Sequence, residues 1–347
     1  MARSGAMAPR LISVIGCLHV DRIMITDHIP ERGESYRAKR YHEALGGKGA
    51  NSAIAAYRSC HARPPEGKLI SFDERIDYSN ENEIEVCMVG AVGDDQYAQM
   101  FEDALQENGV DVSRLQKVDG MTGVSFVLVE NATGENRCTF ANNANDALTA
   151  GYFTNVDSLA NGRRPDLVIA QMELDRSVVE QMIATAGAAG IEFLLNAAPA
   201  LNILSRLYPF ITHLLLNETE AATMSGREVE EVNDETWQEI VEEFLDQGVE
   251  NVVITLGARG AFFGRADEDT FTGAYATDYL RQKQMGQWEI KEAVTRACKA
   301  AALTIGRIGA QEGIPWMDEI DNFEENELSQ TGVEAASQSA TSASEEL

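Results

Sequence analysis

The chain has 347 residues, 44% of them hydrophobic, which suits one large domain or one domain with a small appendage. Its formal net charge of −28 argues against a nucleic-acid-binding face, and no apolar run reaches the roughly 18 residues of a membrane-spanning helix. The N-terminal residues lack the apolar stretch of a secretory signal, and the five scattered cysteines form no CxxC pair. We therefore expect a cytoplasmic protein, with a nuclear location left open, that has no disulfides and needs neither nucleic acid nor a membrane as a partner.

Apolar runs and amphipathic segments predict the secondary structure along the chain. The first half contains strands at residues 11–16 and 85–92, helices at 48–59 and 97–108, and a hairpin of 124–130 with 137–141. From residue 165 strands alternate with helices: strands at 166–171, 192–196, 212–216 and 251–256, and helices at 176–189, near 200–207, 218–224, 235–247, 270–284 and 288–305. This alternation predicts an α/β fold with a mostly parallel sheet covered on both faces.

Two segments lie outside this alternation. Residues 61–83 are polar, contain adjacent prolines, and are predicted to form a surface insertion. Residues 321–347 are rich in glutamate, serine, alanine and threonine, which predicts a disordered acidic tail.

The segment Gly46-Gly47-Lys48-Gly49-Ala50-Asn51 precedes the first predicted helix. Glycines let the backbone approach a ligand closely, and the first turn of a helix offers free N–H groups. Lys48 and Asn51 add donors suited to a hydroxyl-rich ligand. Two adjacent glycines alone would also fit an ordinary turn, and the segment is not a Walker loop.

The full hexamer resembles the sugar-binding signature of ribokinases, which belong to the PfkB family of carbohydrate kinases. The segments Asn217-Glu218-Thr219-Glu220-Ala221, 255–260 and Gly309-Ala310-Gln311 follow in the order found in that family. The resemblance covers residues 11–320. It implies a three-layer α/β/α sandwich with a small β lid formed by about residues 21–44 and 122–141.

The resemblance also implies the site. The residues expected to hold the sugar are Asp21, Gly46, Gly47, Lys48, Asn51, Asn145 and Glu173. His19 stands where the family usually has asparagine. The residues expected at the nucleotide are Asn196, Asn217, Thr255, Gly257 and Gly260, with Glu220 at Mg²⁺. Asn217 and Glu220 also have the spacing of a helix capping box.

The implied reaction is ATP-dependent phosphorylation of D-ribose to D-ribose 5-phosphate, with Mg²⁺ and, by resemblance only, a homodimer. The general base would be Asp269. Ribokinases carry a glycine-rich turn directly before this aspartate, whereas this chain has Ala266-Asp267-Glu268. The strands that normally precede the turn, and part of the family's monovalent-cation (K⁺) site, are missing as well.

The altered turn leaves three hypotheses open. The chain is an active sugar kinase, a sugar-binding pseudokinase that has lost catalysis, or a truncated gene product. The length of the chain does not exclude the first hypothesis. A strand at residues 261–263 that runs back from the catalytic edge would cover roughly 10 Å. The five residues 264–268 can span at most about 17 Å, which is enough to return to that edge.

Overall fold

The structure is a computed structural model that describes residues 10–64, 84–133, 136–160, 162–233, 235–255, 268–305 and 311–323. Its centre is a seven-stranded parallel sheet in the order β11-β10-β9-β8-β1-β4-β5. The strands are β1 (Arg10–Ile15), β4 (Ile84–Val92), β5 (Asp111–Lys117), β8 (Leu167–Gln171), β9 (Glu192–Asn196), β10 (His213–Asn217) and β11 (Asn251–Thr255). Strands β4 and β8 are buried at every residue, and β1, β9 and β10 at all but one, as expected when both faces of a parallel sheet are covered.

Helices cover the sheet on both faces. One apolar core joins it to α1 (Lys48–Cys60), α2 (Gln96–Glu107), α6 (Glu268–Gln284), α7 (Ile290–Ile305) and α8 (Met317–Asp321). The other core joins it to α3 (Arg176–Ala188), α4 (Glu218–Ser225) and α5 (Trp237–Asp246). Neighbouring strand residues alternate between the two cores, for example Val168 and Ile169. The architecture is therefore the predicted three-layer α/β/α sandwich.

Helices α1 and α6 pack unusually closely. A β-carbon at Gly273 of α6 would lie 2.7 Å from the carbonyl carbon of Ala55 in α1, so only glycine fits there. Arg58, one turn further along α1, donates hydrogen bonds to the carbonyl oxygens of Gln311 and Ile314. These contacts fix the orientation of α1 against its neighbours.

A second sheet of four strands forms the lid, in the order β3-β2-β6-β7. Its strands are β2 (His19–Thr26), β3 (Arg40–Gly46), β6 (Gly123–Glu130) and β7 (Asn136–Ala141). The start of β2 and the end of β3 lie next to the site, because His19 pairs with Gly46 directly before α1. The predicted hairpin is β6–β7, and the role of this sheet as a lid stays a prediction.

Most predicted strands and helices agree with the structure to within about two residues, the margin at which assignments of helix ends commonly differ. Near residues 200–207 the prediction is wrong: a 3₁₀ helix forms instead at Ser205–Phe210, with Pro209 inside it. Of the predicted tail, Asp321 belongs to α8 and Phe323 is buried, so the boundary at 321 is too early. Most of the predicted insertion, residues 65–83, and the tail from 324 lie outside the described residues.

In the part of the chain that the structure describes, no helix is long and apolar enough to cross a membrane.

Candidate active site

The site lies at the carboxyl edge of the sheet, where α1 begins. Gly47 is the N-cap of α1, with φ 90° and ψ 133°. A β-carbon there would lie 2.6 Å from the backbone nitrogen of His19 and 2.7 Å from the carbonyl oxygen of Cys17. The hexamer therefore needs glycine at this position for its backbone conformation and for close packing against the start of β2.

Two carboxylates flank this helix start. The Glu173 Oε2 atom accepts a hydrogen bond of 3.1 Å from the backbone N–H of Lys48. The Asp21 carboxylate accepts one from the hydroxyl of Ser125, the residue opposite it on β6. Burial raises the pKa of both carboxyl groups, and the charge of Lys48 opposes this rise.

His19 lies beside Glu173, at the first residue of β2. Its Nε2 is 3.3 Å from the Oδ1 of Asn142, and its Nδ1 is 3.8 Å from Glu173 Oε2. The Asn142 amide donates a 3.0 Å hydrogen bond to the carbonyl oxygen of Glu173. Burial lowers the pKa of the His19 ring.

Asn145 has a structural position. It is 0% exposed, and its side chain exchanges hydrogen bonds of 3.0 Å with both backbone groups of Leu18. A sugar could not reach this amide without breaking those contacts. In the structure Asn145 therefore stabilises the turn between β1 and β2, while its direct contact with a sugar stays a prediction.

Asp269 lies in the first turn of α6, since that helix begins at Glu268. Its Oδ2 accepts a 3.3 Å hydrogen bond from the Asn51 amide, and its Oδ1 is 4.0 Å from Lys48 Nζ. The predicted catalytic residue thus meets two residues of the glycine hexamer, although 218 positions separate it from Asn51.

The nucleotide-side predictions fall along the same edge. Asn196 donates a 3.2 Å hydrogen bond to Thr272 of α6 and is 3% exposed. Asn217 and Glu220 form the predicted capping box of α4, each accepting a 2.8 Å hydrogen bond from the other's backbone N–H. Thr255 pairs with Asn217 across β10 and β11. Gly257 and Gly260 lie outside the described residues, as does the altered turn at 264–267.

Comparison with known proteins decides the family. The family model described as "pfkB family carbohydrate kinase" matches residues 9–268. The chain belongs to this family. Its members transfer a phosphoryl group to a sugar hydroxyl, so the predicted class of enzyme is confirmed.

Relatives of this kinase include ribokinases from two distant organisms. That of Haemophilus influenzae is 28% identical, and the alignment covers 91% of this chain and 99% of the relative. That of Schizosaccharomyces pombe is also 28% identical, with 89% and 96% covered. An Arabidopsis thaliana ribokinase, solved in complex with ribose and ATP, superposes with a TM-score of 0.70 at 23% identity, covering 92% of this chain and all of that one. The predicted ribokinase-like fold is confirmed.

Several residues of this kinase site were not singled out by the sequence. Ser125 and Asn142 contact the sugar-side groups, and Gln171 donates a 3.2 Å hydrogen bond to Ser52 of α1. Pairing across the lid or the sheet brings them there, and no local pattern marks them. The one available signal was the position of Gln171 at the end of a buried strand, where ligand-facing residues of parallel sheets occur.

Proposed function

We propose that this kinase phosphorylates D-ribose at its 5-hydroxyl, using ATP and Mg²⁺. The observation that carries the proposal is the contact of Asp269 with Asn51 and Lys48, which joins a carboxylate at the start of α6 to the glycine hexamer. The names of the ribokinase relatives support the choice of sugar.

The described residues also leave a hydrogen-bonding group open for a ligand. Asn51 is 7% exposed, and within the described ranges its Oδ1 has no hydrogen-bond partner. A buried acceptor without a partner is costly, so a sugar hydroxyl that donates to this oxygen would gain binding free energy. Glu173 and Asp21 supply further acceptors at the start of α1.

The roles in the reaction follow from these positions. The 5-hydroxyl oxygen forms a bond to the γ-phosphorus of ATP, the bond to ADP breaks, and the hydroxyl proton passes to the Asp269 carboxylate. A positioned general base of this kind contributes roughly 10²- to 10⁴-fold in rate. The remaining free energy comes from positioning and from charge stabilisation, which dominate phosphoryl transfer.

The described residues fit a Mg²⁺ ion that arrives with the nucleotide. Within the described ranges there is no group of three His, Cys, Asp or Glu side chains able to hold a metal. Mg²⁺ usually keeps several waters and needs only one or two carboxylates plus phosphates, so Glu220 would suffice, and the ion would neutralise phosphate charge. A K⁺ effect and a homodimer are proposed from the family resemblance alone.

The first test is a coupled assay of ATP turnover with and without D-ribose, repeated with Asp269→Asn. We expect ribose-stimulated turnover in the wild type and a fall of roughly 10²- to 10⁴-fold in the variant, with ribose binding retained in calorimetry. Asp103→Asn, a change of an exposed carboxylate on α2, is the matched control and should keep full activity.

Other outcomes of this assay lead to different conclusions. Equal turnover of the wild type and Asp269→Asn would refute the assigned base. Ribose binding to the folded wild type without turnover would show a pseudokinase instead. Replacing K⁺ by Na⁺ in the same assay tests the cation effect.

A further inference from the structure

His19 is almost completely buried, with a side-chain exposure of 2%, yet the proposed reaction gives it no role. Its ring lies between the body and the lid: Glu173 is on the body side, and the Phe140 ring of β7 lies 5.4 Å away. Its backbone pairs with Gly46 at the entrance to the glycine hexamer. A ring in this position therefore interacts electrostatically with the carboxylates on the sugar side of the site.

Hydrogen bonding fixes the tautomer of the neutral ring. Asn142 donates its amide N–H to the carbonyl oxygen of Glu173, so its Oδ1 is the atom that faces His19 Nε2. Because Oδ1 can only accept, Nε2 must carry the hydrogen. The lone pair of the neutral ring is therefore on Nδ1, the nitrogen that faces Glu173 Oε2 at 3.8 Å.

Nδ1 and an ionised Glu173 are both hydrogen-bond acceptors. Two acceptors that face each other in a buried place repel, and one proton between them turns the repulsion into a hydrogen bond. We propose that His19 and Glu173 form a buried acid–base pair that takes up one proton as the pH falls, and that this proton weakens sugar binding. The inference rests on the proposed function for its second half only.

Other charged and titratable groups surround the pair. Asp21, on the same strand as His19, favours the charged ring, and Lys48 favours the ionised form of Glu173. Burial opposes both charged forms. The Cys17 thiol, Asp146 and the Cys138 thiol on the lid complete this environment. Within the described ranges, the carboxylates Asp21, Glu173 and Asp269 outnumber the Lys48 ammonium, so uptake of one proton reduces the net negative charge of these groups.

The proton weakens sugar binding because it occupies an acceptor. Glu173 Oε2 already accepts the hydrogen bond from the Lys48 backbone. Once the proton lies between Oε2 and Nδ1, that side of the carboxylate has no capacity left for a sugar hydroxyl. Uptake of one proton lowers affinity by up to about tenfold per pH unit below the pKa of the pair.

Calorimetric titration of wild type and His19→Gln with D-ribose, across about pH 5.5 to 8, tests the effect on binding. Glutamine keeps an N–H for Asn142 but does not titrate in this range. We expect ribose affinity to fall steeply as the pH decreases in the wild type and to be nearly independent of pH in His19→Gln. If the two proteins gave parallel profiles, His19 would have a structural role only and the proposal would be wrong.

A second measurement tests the pair without any sugar. The ring ¹⁵N signals of His19 can be identified by their loss in His19→Gln and followed with pH in wild type and in Glu173→Gln. The Nδ1 signal should shift at a lower pH in Glu173→Gln, because the carboxylate no longer favours the proton. Identical titrations of the Nδ1 signal in the wild type and in Glu173→Gln would refute the proposed acid–base pair. Failure of the wild type to bind ribose at any pH would instead refute the proposed function, while the ¹⁵N titration would still decide whether the pair exists.

Discussion

Gly47 shows how much one residue can determine in this site. Its positive φ and its contacts with the backbone of His19 and Cys17 place the Lys48 N–H against Glu173. The glycine hexamer was recognisable from the sequence because this requirement is local. The partner Glu173 was assigned only by resemblance, since 125 residues separate it from Lys48 and no short-range pattern connects them.

Gly47→Ala should lower stability by roughly 1–3 kcal/mol and weaken ribose binding, because the new β-carbon forces the α1 start away from β2. Gly33→Ala is the matched control: Gly33 also has positive φ, at 83°, but nothing lies within 4 Å of its β-carbon position. Chemical unfolding and calorimetry of both variants measure the difference. Equal losses would mean that backbone strain alone, and not the close approach, makes Gly47 necessary.

Strand β10 begins with a buried residue that is surrounded mainly by aromatic rings. His213 is 0% exposed, its Nδ1 is 3.0 Å from the Tyr275 hydroxyl, and the Tyr279 ring of α6 lies 4.2 Å away. Burial first, and the charge of Lys283 second, lower the pKa of His213 to about 3. The strand and helix α6 therefore depend on a neutral imidazole.

This burial should make stability depend on pH. Between the unfolded pKa of about 6.5 and the folded value, the unfolded chain binds a proton that the folded chain rejects, so stability falls by about 1.4 kcal/mol per pH unit as the pH decreases. Urea unfolding across this range, in wild type and His213→Phe, measures the slope. His213→Phe should have the shallower slope, and His42→Gln, at an exposed position of β3, should keep the wild-type slope. Equal slopes in all three proteins would exclude His213 as the source.

Whole elements were predictable where burial gives a clear pattern. Strands such as β4 and β8 are buried at every residue, so their apolar runs are continuous. Strand β5 was missed because it is one of the two edge strands of the sheet and has a polar sequence, with no fully buried residue. Strands β2 and β3 belong to the half-exposed lid, where the pattern is equally weak, and only the resemblance located these two strands.

At the scale of the molecule, a net charge of −28 opposes the approach of ATP. Raising the ionic strength from about 0.01 M to 0.15 M shortens the screening length from about 30 Å to 8 Å. We expect the KM for MgATP to fall several-fold over this range. The KM for ribose, which is uncharged, is the internal control and should not change. A KM for MgATP that rises with salt would show that local donors, and not the overall charge, govern nucleotide capture.

The close contact of Gly273 with Ala55 has a consequence for the rates at which sugar enters and leaves the site. It makes α1 and α6 one rigid block, and this block carries both the glycine hexamer and Asp269. The lid is a separate sheet, and the chain passes from it into the block where β3 runs into α1. Lid opening and closing, on the microsecond-to-millisecond scale usual for such motions, would then admit and release sugar without changing the distance between Asn51 and the base. Substitutions in the lid away from the sugar-side residues should accordingly alter the rates of sugar entry and exit, while the rate of the chemical step in a single turnover stays constant.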